Sequence, residues 1–439
     1  MRWERLLSSE RLGTRSGPAP DEARNEFQRD FDRIVFSPAF RRLHDKTQVF
    51  PMPENDHVHS RLTHSLEVSC VGRGLATRVG RELVRRRGLD DDDDARDIGD
   101  IVAAACLAHD IGNPPFGHSG EHAFRSWFRE RRDMLAPRMT PEEWADLEGF
   151  EGNAQGFRVI TRLQMARGRG GMRLTHATLG AYMKYPRASI IAVDPGKRRS
   201  GKKHGFHRSE RDLFAETAEV LGLPPVEGAG DWWRRHPLVF LTEAADDICY
   251  QILDLEDGYR LGKVAFDEAR DLLAAIVPEK SRHGVETAEE RRAFIGYLRA
   301  RAVDALIRET ADLFLEKEEE ILAGAFDGAL VDAIPSKEKV DAITRLVLHT
   351  CYQAPEVLET EIAGFRVIAA LLDRFVEATL EPSRPGAGKI RILMPDLFRE
   401  AEGDDDYRRI LRITDFVSGM TDGYAVSVFR RLQGIVLPR

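Results

Sequence analysis

The sequence predicts a mainly α-helical fold with at most a small β-hairpin. Apolar residues recur at three- and four-residue spacing over long runs, Pro and Gly punctuate between them, and alternating strand patterns are scarce. In chain order the runs cover 65–88, 100–109, 118–132, 209–221, 237–262, 264–276, 287–323, 336–351, 355–379 and 404–434. The second of them, Ile101-Val-Ala-Ala-Ala-Cys-Leu-Ala108, reads as a buried helix that stops where Gly112 and Pro114 break it. The best alternating segment, Ala188-Ser-Ile-Ile-Ala-Val-Asp194, ends in a Pro-Gly turn and is expected to pair with the stretch before His207. The chain has no internal repeat.

Composition narrows the function classes. Charged residues make up 31% and hydrophobic ones 42% of 439 residues, an ordinary globular balance. The formal net charge of -8 argues against a general nucleic-acid binder but leaves room for a local basic patch. No segment approaches the 18 uncharged apolar residues that a membrane span needs, and Met1-Arg-Trp-Glu-Arg-Leu-Leu7 lacks the apolar core of a signal peptide. Cys70, Cys106, Cys249 and Cys351 lie far apart with no C-x-x-C pair, as expected for reduced thiols in a cytoplasmic protein. The acidic run Asp90–Asp94 reads as a solvated loop and helix N-terminal charge. The stretch 158–208 is its opposite, with thirteen Lys or Arg against one acid, Asp194. Either part of it faces a polyanion, such as a nucleotide triphosphate or single-stranded nucleic acid, or it is a solvated loop. Gly196–Lys203 reads as flexible, whereas Arg158–Arg173 and Lys184 read as ordered.

The chemistry concentrates at His109-Asp110, which closes the apolar run. A helix-terminal His-Asp pair serves either as a cap or as two ligands for one divalent ion placed beyond the helix end. Further ligands have two sources. Upstream, Arg61-Leu-Thr-His64 opens a helix, after a turn-like stretch holding His57 and His59. Downstream, the apolar run at 237–262 carries embedded carboxylates, which burial penalises unless they are compensated. Asp246, Tyr250 and Asp254 are four apart, so each advances only about 40° around a helix and they form one polar stripe. A carboxylate of that stripe meeting His64, His109 and Asp110 completes a two-His, two-Asp site with open positions for water and substrate.

The order His…His-Asp…Asp on helices resembles the HD phosphohydrolase superfamily, and the chain is similar in particular to the deoxyguanosine triphosphate triphosphohydrolase family. The resemblance rests on Phe40-Arg-Arg-Leu-His-Asp-Lys-Thr-Gln48-Val-Phe, Arg61-Leu-Thr-His64-Ser, His109-Asp-Ile-Gly-Asn-Pro-Pro-Phe-Gly-His118-Ser-Gly-Glu121, Phe150-Glu-Gly-Asn153-Ala-Gln155, Leu174–Pro186 with Lys184, and Glu243-Ala-Ala-Asp246-Asp-Ile-Cys-Tyr250. It implies a helical HD-type catalytic core over 1–260 and a helical accessory region over 261–439. His64, His109, Asp110 and Asp246 are implied as metal ligands, with Asp246 preferred over Asp247 because the Asp-x-x-x-Tyr-x-x-x-Asp spacing starts there. His118 and Glu121 match the catalytic pair, an imidazole oriented by a carboxylate; the alternative is a helix cap and its dipole partner. Arg61 and Lys184 match phosphate contacts, with part of 158–173 beside them. Gln48, Tyr250 and Asp254 match the sugar-holding residues, and Asn153 and Gln155 the wall near the base. Two positions depart from the family pattern: Asn113 stands where some relatives carry histidine, and His176 where many carry tyrosine.

The implied reaction is metal-dependent hydrolysis of a deoxynucleoside triphosphate at the α-phosphorus, giving deoxynucleoside and inorganic triphosphate. Magnesium or manganese comes first as the ion, ahead of iron, cobalt, nickel or zinc. The resemblance also implies a homo-oligomer, hexamer or tetramer, and a nucleotide or single-stranded DNA effector. Two other readings stand beside it: a phosphohydrolase of monophosphates or signalling nucleotides, and a nucleic-acid-binding regulator with a residual HD site.

Overall fold

The computed structural model describes residues 1–14, 24–48, 59–87, 91–165, 170–277 and 287–436. His57, Asp90, Arg167 and Arg169 lie outside the described residues, as do the side chains of Asp91–Asp94. The helices that carry the argument are α1 (Glu26–Val35), α2 (Arg61–Arg87), α3 (Asp91–Ala108), α4 (Gly117–Glu130), α5 (Pro141–Glu148), α6 (Gly152–Arg158), α7 (His176–Tyr182), α8 (Val239–Arg260), α9 (Ala288–Glu316), α10 (Pro355–Leu380), α11 (Asp406–Ser418) and α12 (Asp422–Leu432). The fold is helical, as the periodicity predicts.

Helix α3 is the hub. Ile101 to Ala108 are all fully buried, and α3 packs against α1, α2, α7 and α8. A helix apolar on every side has to be central, because no face of it gains from water. Residues 91–94 of the acidic run form its first turn, so α3 begins ten residues before its apolar stretch does. Carboxylates at a helix N-terminus favour that extension.

Among the described residues two large hydrophobic cores form, and both cross residue 260. The larger joins α1, α2, α3 and α8 to Phe294, Leu298, Val340 and Ile343. The smaller packs Phe124, Trp127, Phe128 and Trp144 of α4 and α5 on Ile368, Leu371, Phe375, Ile410 and Leu411 of α10 and α11. Burying each such aromatic or aliphatic side chain contributes roughly 1.5–3 kcal/mol, enough to fix α4 on the C-terminal helices. The functional cavity lies between these cores.

Two expected runs are divided. The run 287–323 breaks at Lys317, and 404–434 breaks at Gly419–Thr421, where the Thr421 hydroxyl accepts the Tyr424 N–H at 3.2 Å. The apolar period continues across both breaks, which hides them. The expected hairpin is corrected. Residues 188–192 run beside 229–231, not beside the stretch before His207, with Ala188 N–H to Asp231 O at 2.9 Å and Ala192 N–H to Ala229 O at 3.0 Å. Ile191 and Val193 pack there on Val226, Ala229 and Trp232. Among the described residues only isolated bridges form, and no sheet. No described helix is long and apolar enough to cross a membrane.

Candidate active site

Helix α3 ends at Ala108, and its last turn leaves carbonyls without helical partners. One of them, Cys106 C=O, lies 2.6 Å from His109 Nδ1. A carbonyl only accepts, so Nδ1 carries the proton and the Nε2 lone pair is free to bind a metal. Gly112 lets the following turn run against α6: a Cβ there would lie 2.1 Å from Gly152 O and Gly156 N. His64, in the first turn of α2, brings Nε2 to 3.2 Å from Asp246 Oδ1 on α8. His109 Nε2 stands 3.5 Å from the same oxygen, and the two imidazoles meet edge to face at 5.4 Å. One ligand atom from each of His64, His109 and Asp246 lies within 4.8 Å of the others. Two imidazoles and a carboxylate suit a borderline or hard divalent ion, so this donor set fits a metal.

Asp110 stands one step out. Its Oδ1 is 3.5 Å from His109 Nε2 and accepts the Asn113 amide, while Oδ2 accepts Arg61 Nη1 at 2.8 Å. Burial opposes ionisation of Asp110, yet Arg61, His109 and His64 hold its pKa down at about 2. Burial opposes Asp246 too, and His109, His64 and Lys184 hold it well below the usual carboxylate range. Both carboxylates are therefore charged at neutral pH. Asp247 turns away from the histidines, its Oδ2 3.5 Å from Arg199.

Cations ring the cavity. Glu243, buried in its wall, takes Arg235 at 2.5 Å, Arg199 at 2.7 Å and Lys184 at 3.3 Å. Lys203 reaches in from the opposite side, with Nζ 2.9 Å from Glu151 and 3.7 Å from Glu121. The Gly196–Lys203 segment, expected to be flexible, is thus ordered. Ser200 Oγ donates to Asp327 at 2.6 Å, and the segment lines the site. Arg158 is corrected in the other direction. It is buried between Asp415 at 2.8 Å and Glu210 at 2.7 Å, so it serves the core and not a phosphate.

The start of α4 is held by the C-terminal region. Asp422 Oδ1 accepts the Phe116 N–H at 3.0 Å, and its Oδ2 accepts the Thr47 N–H at 3.0 Å and the hydroxyl at 2.6 Å. Phe116 and Gly117 both adopt positive φ, and a Cβ on Gly117 would come 2.8 Å from Arg61 Nη2. His118 is thereby turned open to the cavity. Desolvation within the cleft, with Arg61 and Lys203 nearby, pushes its pKa down to about 4. Glu121 does not orient it. The Glu121 carboxylate accepts Gly152 N–H at 2.7 Å and faces Arg125 and Lys203; among the described contacts none joins it to His118. Burial and the neighbouring Glu151 raise the Glu121 pKa.

Two adjoining chambers of about 300 and 310 Å³ share Gln48, Arg61, His118, Tyr250 and Tyr352. The first holds His64, His109, Asp110 and Asp246 among the cations Lys184, Arg199, Lys202 and Lys203, with Asn153 on its wall. The second is less polar and ends at Phe116, Val357 and Thr360. Gln48 Oε1 is buried there without a partner. Asp254 is not on the wall: it lies behind Tyr352, whose hydroxyl donates to it at 2.7 Å. Gln155 also lies outside, its amide on Asp415 at 2.9 Å. His59 pairs with Asp257 and Glu67, away from His64, His109 and Asp246, and His176 is buried against Thr217. Sequence reasoning missed Tyr352, Arg199, Lys202 and Lys203. The lysine doublet at 202–203 was visible as charge, but Tyr352 carries no local signal.

Comparison with known proteins agrees with this geometry. The HD domain family matches residues 61–147, and the phosphohydrolase-associated domain family matches residues 335–431. A Synechocystis sp. protein named deoxyguanosinetriphosphate triphosphohydrolase-like protein is 44% identical over 448 residues, spanning 100% of both chains. One of the same name from Pseudomonas aeruginosa is 42% identical over 99% of each chain. The deoxyguanosinetriphosphate triphosphohydrolase of Salmonella schwarzengrund is 31% identical over 93% of this chain and 94% of its own.

Proposed function

The chain belongs to the deoxyguanosinetriphosphate triphosphohydrolase family, and from that premise we propose metal-dependent hydrolysis of deoxynucleoside triphosphates to deoxynucleoside and inorganic triphosphate. The observation that carries this reading is the convergence of His64, His109 and Asp246 on one wall of a cation-lined chamber that opens into a second, less polar one.

His64, His109 and Asp246 would hold the ion, with Asp110 completing the set by a small turn of its carboxylate. A divalent ion held there, magnesium or manganese ahead of iron, cobalt, nickel or zinc, supplies Lewis-acid polarisation of a phosphoryl oxygen. Arg61, Lys184, Arg199, Lys202 and Lys203 offer the charge that a triphosphate needs, and such charge-assisted hydrogen bonds are roughly twice as strong as neutral ones. His118 is neutral in the free protein; anionic phosphates opposite it raise its affinity for a proton, which it delivers to the departing 5′-oxygen. Gln48 and Tyr250, with Tyr352 and behind it Asp254, hold the sugar in the second chamber. Its orphaned Gln48 oxygen awaits a donor such as a sugar hydroxyl. Glu121 acts through Lys203 and Gly152, shaping the pocket, and Asn153 closes the wall.

Residues 1–260 form the catalytic unit in this reading, and 261–439 an accessory region that completes the cavity. The exposed Leu358, Ile362 and Phe365 share one face of α10, which suits a homo-oligomer, hexamer or tetramer. The four free cysteines suit a cytoplasmic protein. A nucleotide or single-stranded DNA effector belongs to the same proposal. The test is product analysis with each deoxynucleoside triphosphate and with GTP, singly and mixed, after metal loading. Deoxynucleoside and triphosphate are expected from deoxy substrates and nothing from GTP; pyrophosphate release overturns the reading.

A further inference from the structure

A second cluster of two histidines and one aspartate lies behind the catalytic cavity and lines none of it. Asp146 on α5, His204 and His207 are 1%, 6% and 1% exposed. One ligand atom from each lies within 4.8 Å of the others. His204 Nε2 and both nitrogens of His207 are buried without a hydrogen-bond partner. Orphaned buried polar atoms are rare, and three ring nitrogens together call for an explanation. The rings stand 5.9 Å apart at 62°, so they do not stack.

Asp146 supplies the carboxyl group of the cluster. It accepts Ser189 Oγ at 2.6 Å, Arg208 N–H at 2.7 Å and the Tyr407 hydroxyl at 2.8 Å. A carboxylate offers about four acceptor directions, so one remains. Among the described residues no Lys or Arg pairs with it, although the chain is otherwise generous with arginine. A buried carboxylate without a cation is expensive.

We propose that Asp146, His204 and His207 form a second metal site, distinct from the catalytic one, which takes a zinc-class divalent ion and clamps the 203–208 segment to α5 and α11. Two imidazoles and one carboxylate are the ligand set that such an ion prefers. Metal binding needs unprotonated imidazoles. Zinc–ligand distances of about 2.0–2.2 Å require the three side chains to close by about an ångström, within the reach of rotamer adjustment. The ion would be structural in effect. His204 directly follows Lys203, whose ammonium sits on Glu151 at 2.9 Å and faces Glu121, so fixing one fixes the other. Tyr407, on α11, ties the C-terminal helices into the same cluster.

The test separates the two sites. The full-length His64→Ala/His109→Ala protein, loaded with Zn²⁺ and dialysed, is expected to retain about one zinc per chain by elemental analysis. The same background with His207→Phe is expected to retain none. Zinc should raise the Tm of the first protein by several degrees and leave the second unmoved. Should His207→Phe fail to fold, X-ray absorption at the zinc edge of the His64→Ala/His109→Ala protein decides: two imidazoles with oxygen support the site, and an all-oxygen or sulfur-containing shell overturns it. A folded His64→Ala/His109→Ala protein that holds no zinc above background, with no shift in Tm, overturns it outright.

Discussion

The two histidine–aspartate clusters are built from the same residue types and have opposite surroundings. At His64, His109 and Asp246 the side chains face a cavity, the carboxylates are held ionised by imidazoles and basic groups, and both histidines have a partner. At Asp146, His204 and His207 the side chains face each other, burial raises the Asp146 pKa to about 7, and the ring nitrogens are orphaned. The comparison teaches that ligand type alone does not assign chemistry. Catalysis needs an open coordination position and a charged wall for the substrate, and only the first cluster has both.

The sharpest way to break this contrast is to remove a ligand from each cluster. Asp246→Ala is expected to abolish turnover with the helical circular dichroism unchanged, whereas His204→Phe should leave measurable turnover. Equal loss in both would erase the distinction. Next in size is His118→Ala, for which kcat should fall by about 10²–10⁴-fold while the content of catalytic metal stays the same. Loss of metal in that variant would make His118 a ligand and not a proton carrier. Lys203→Ala should raise KM about tenfold or more, the worth of one charge-assisted hydrogen bond, with a smaller effect on kcat; an unchanged KM would remove Lys203 from the phosphate wall.

The smallest expected effect concerns His59, a histidine close in sequence to the first cluster that takes no part in it. Burial disfavours its charge, but hydrogen bonds to Asp257 and Glu67 overcome that and raise its pKa to about 10. The folded state therefore binds the proton more tightly than the unfolded chain. This contribution, on the order of 1–3 kcal/mol, is complete below pH 6.5 and is lost as pH rises through 10. Chemical denaturation between pH 6 and 10 should show that slope, and His59→Gln should flatten it. An identical slope in the variant would show that other groups carry it.

Much of this site was legible in the sequence because its chemistry is local. The His-Asp pair stands at the end of an all-apolar helix, and the Asp246 stripe sits on another, so burial and polarity conflict where ligands are needed. The substrate wall was less legible. Arg158 looks like any phosphate-binding arginine until Asp415, 257 residues away, is brought against it. Lys203 sits in a glycine- and lysine-rich run that reads as mobile, and Glu121 and Glu151 hold it from distant parts of the chain. Tyr352 reaches the cavity from a turn packed on the larger core, and Asp422 holds Phe116 from the start of α12, both in a region without a sharp motif. Glu121 shows the limit of spacing: three residues from His118 on one helix, it turns to Gly152 and Lys203 instead.

The central claim is that this cavity directs water to the α-phosphorus of a deoxynucleoside triphosphate. Turnover in ¹⁸O-labelled water, with mass analysis of both products, tests it most directly. Cleavage between the α-phosphorus and the 5′-oxygen predicts one labelled oxygen in the triphosphate and none in the deoxynucleoside. Label in the deoxynucleoside, or products of pyrophosphate and monophosphate, would contradict it.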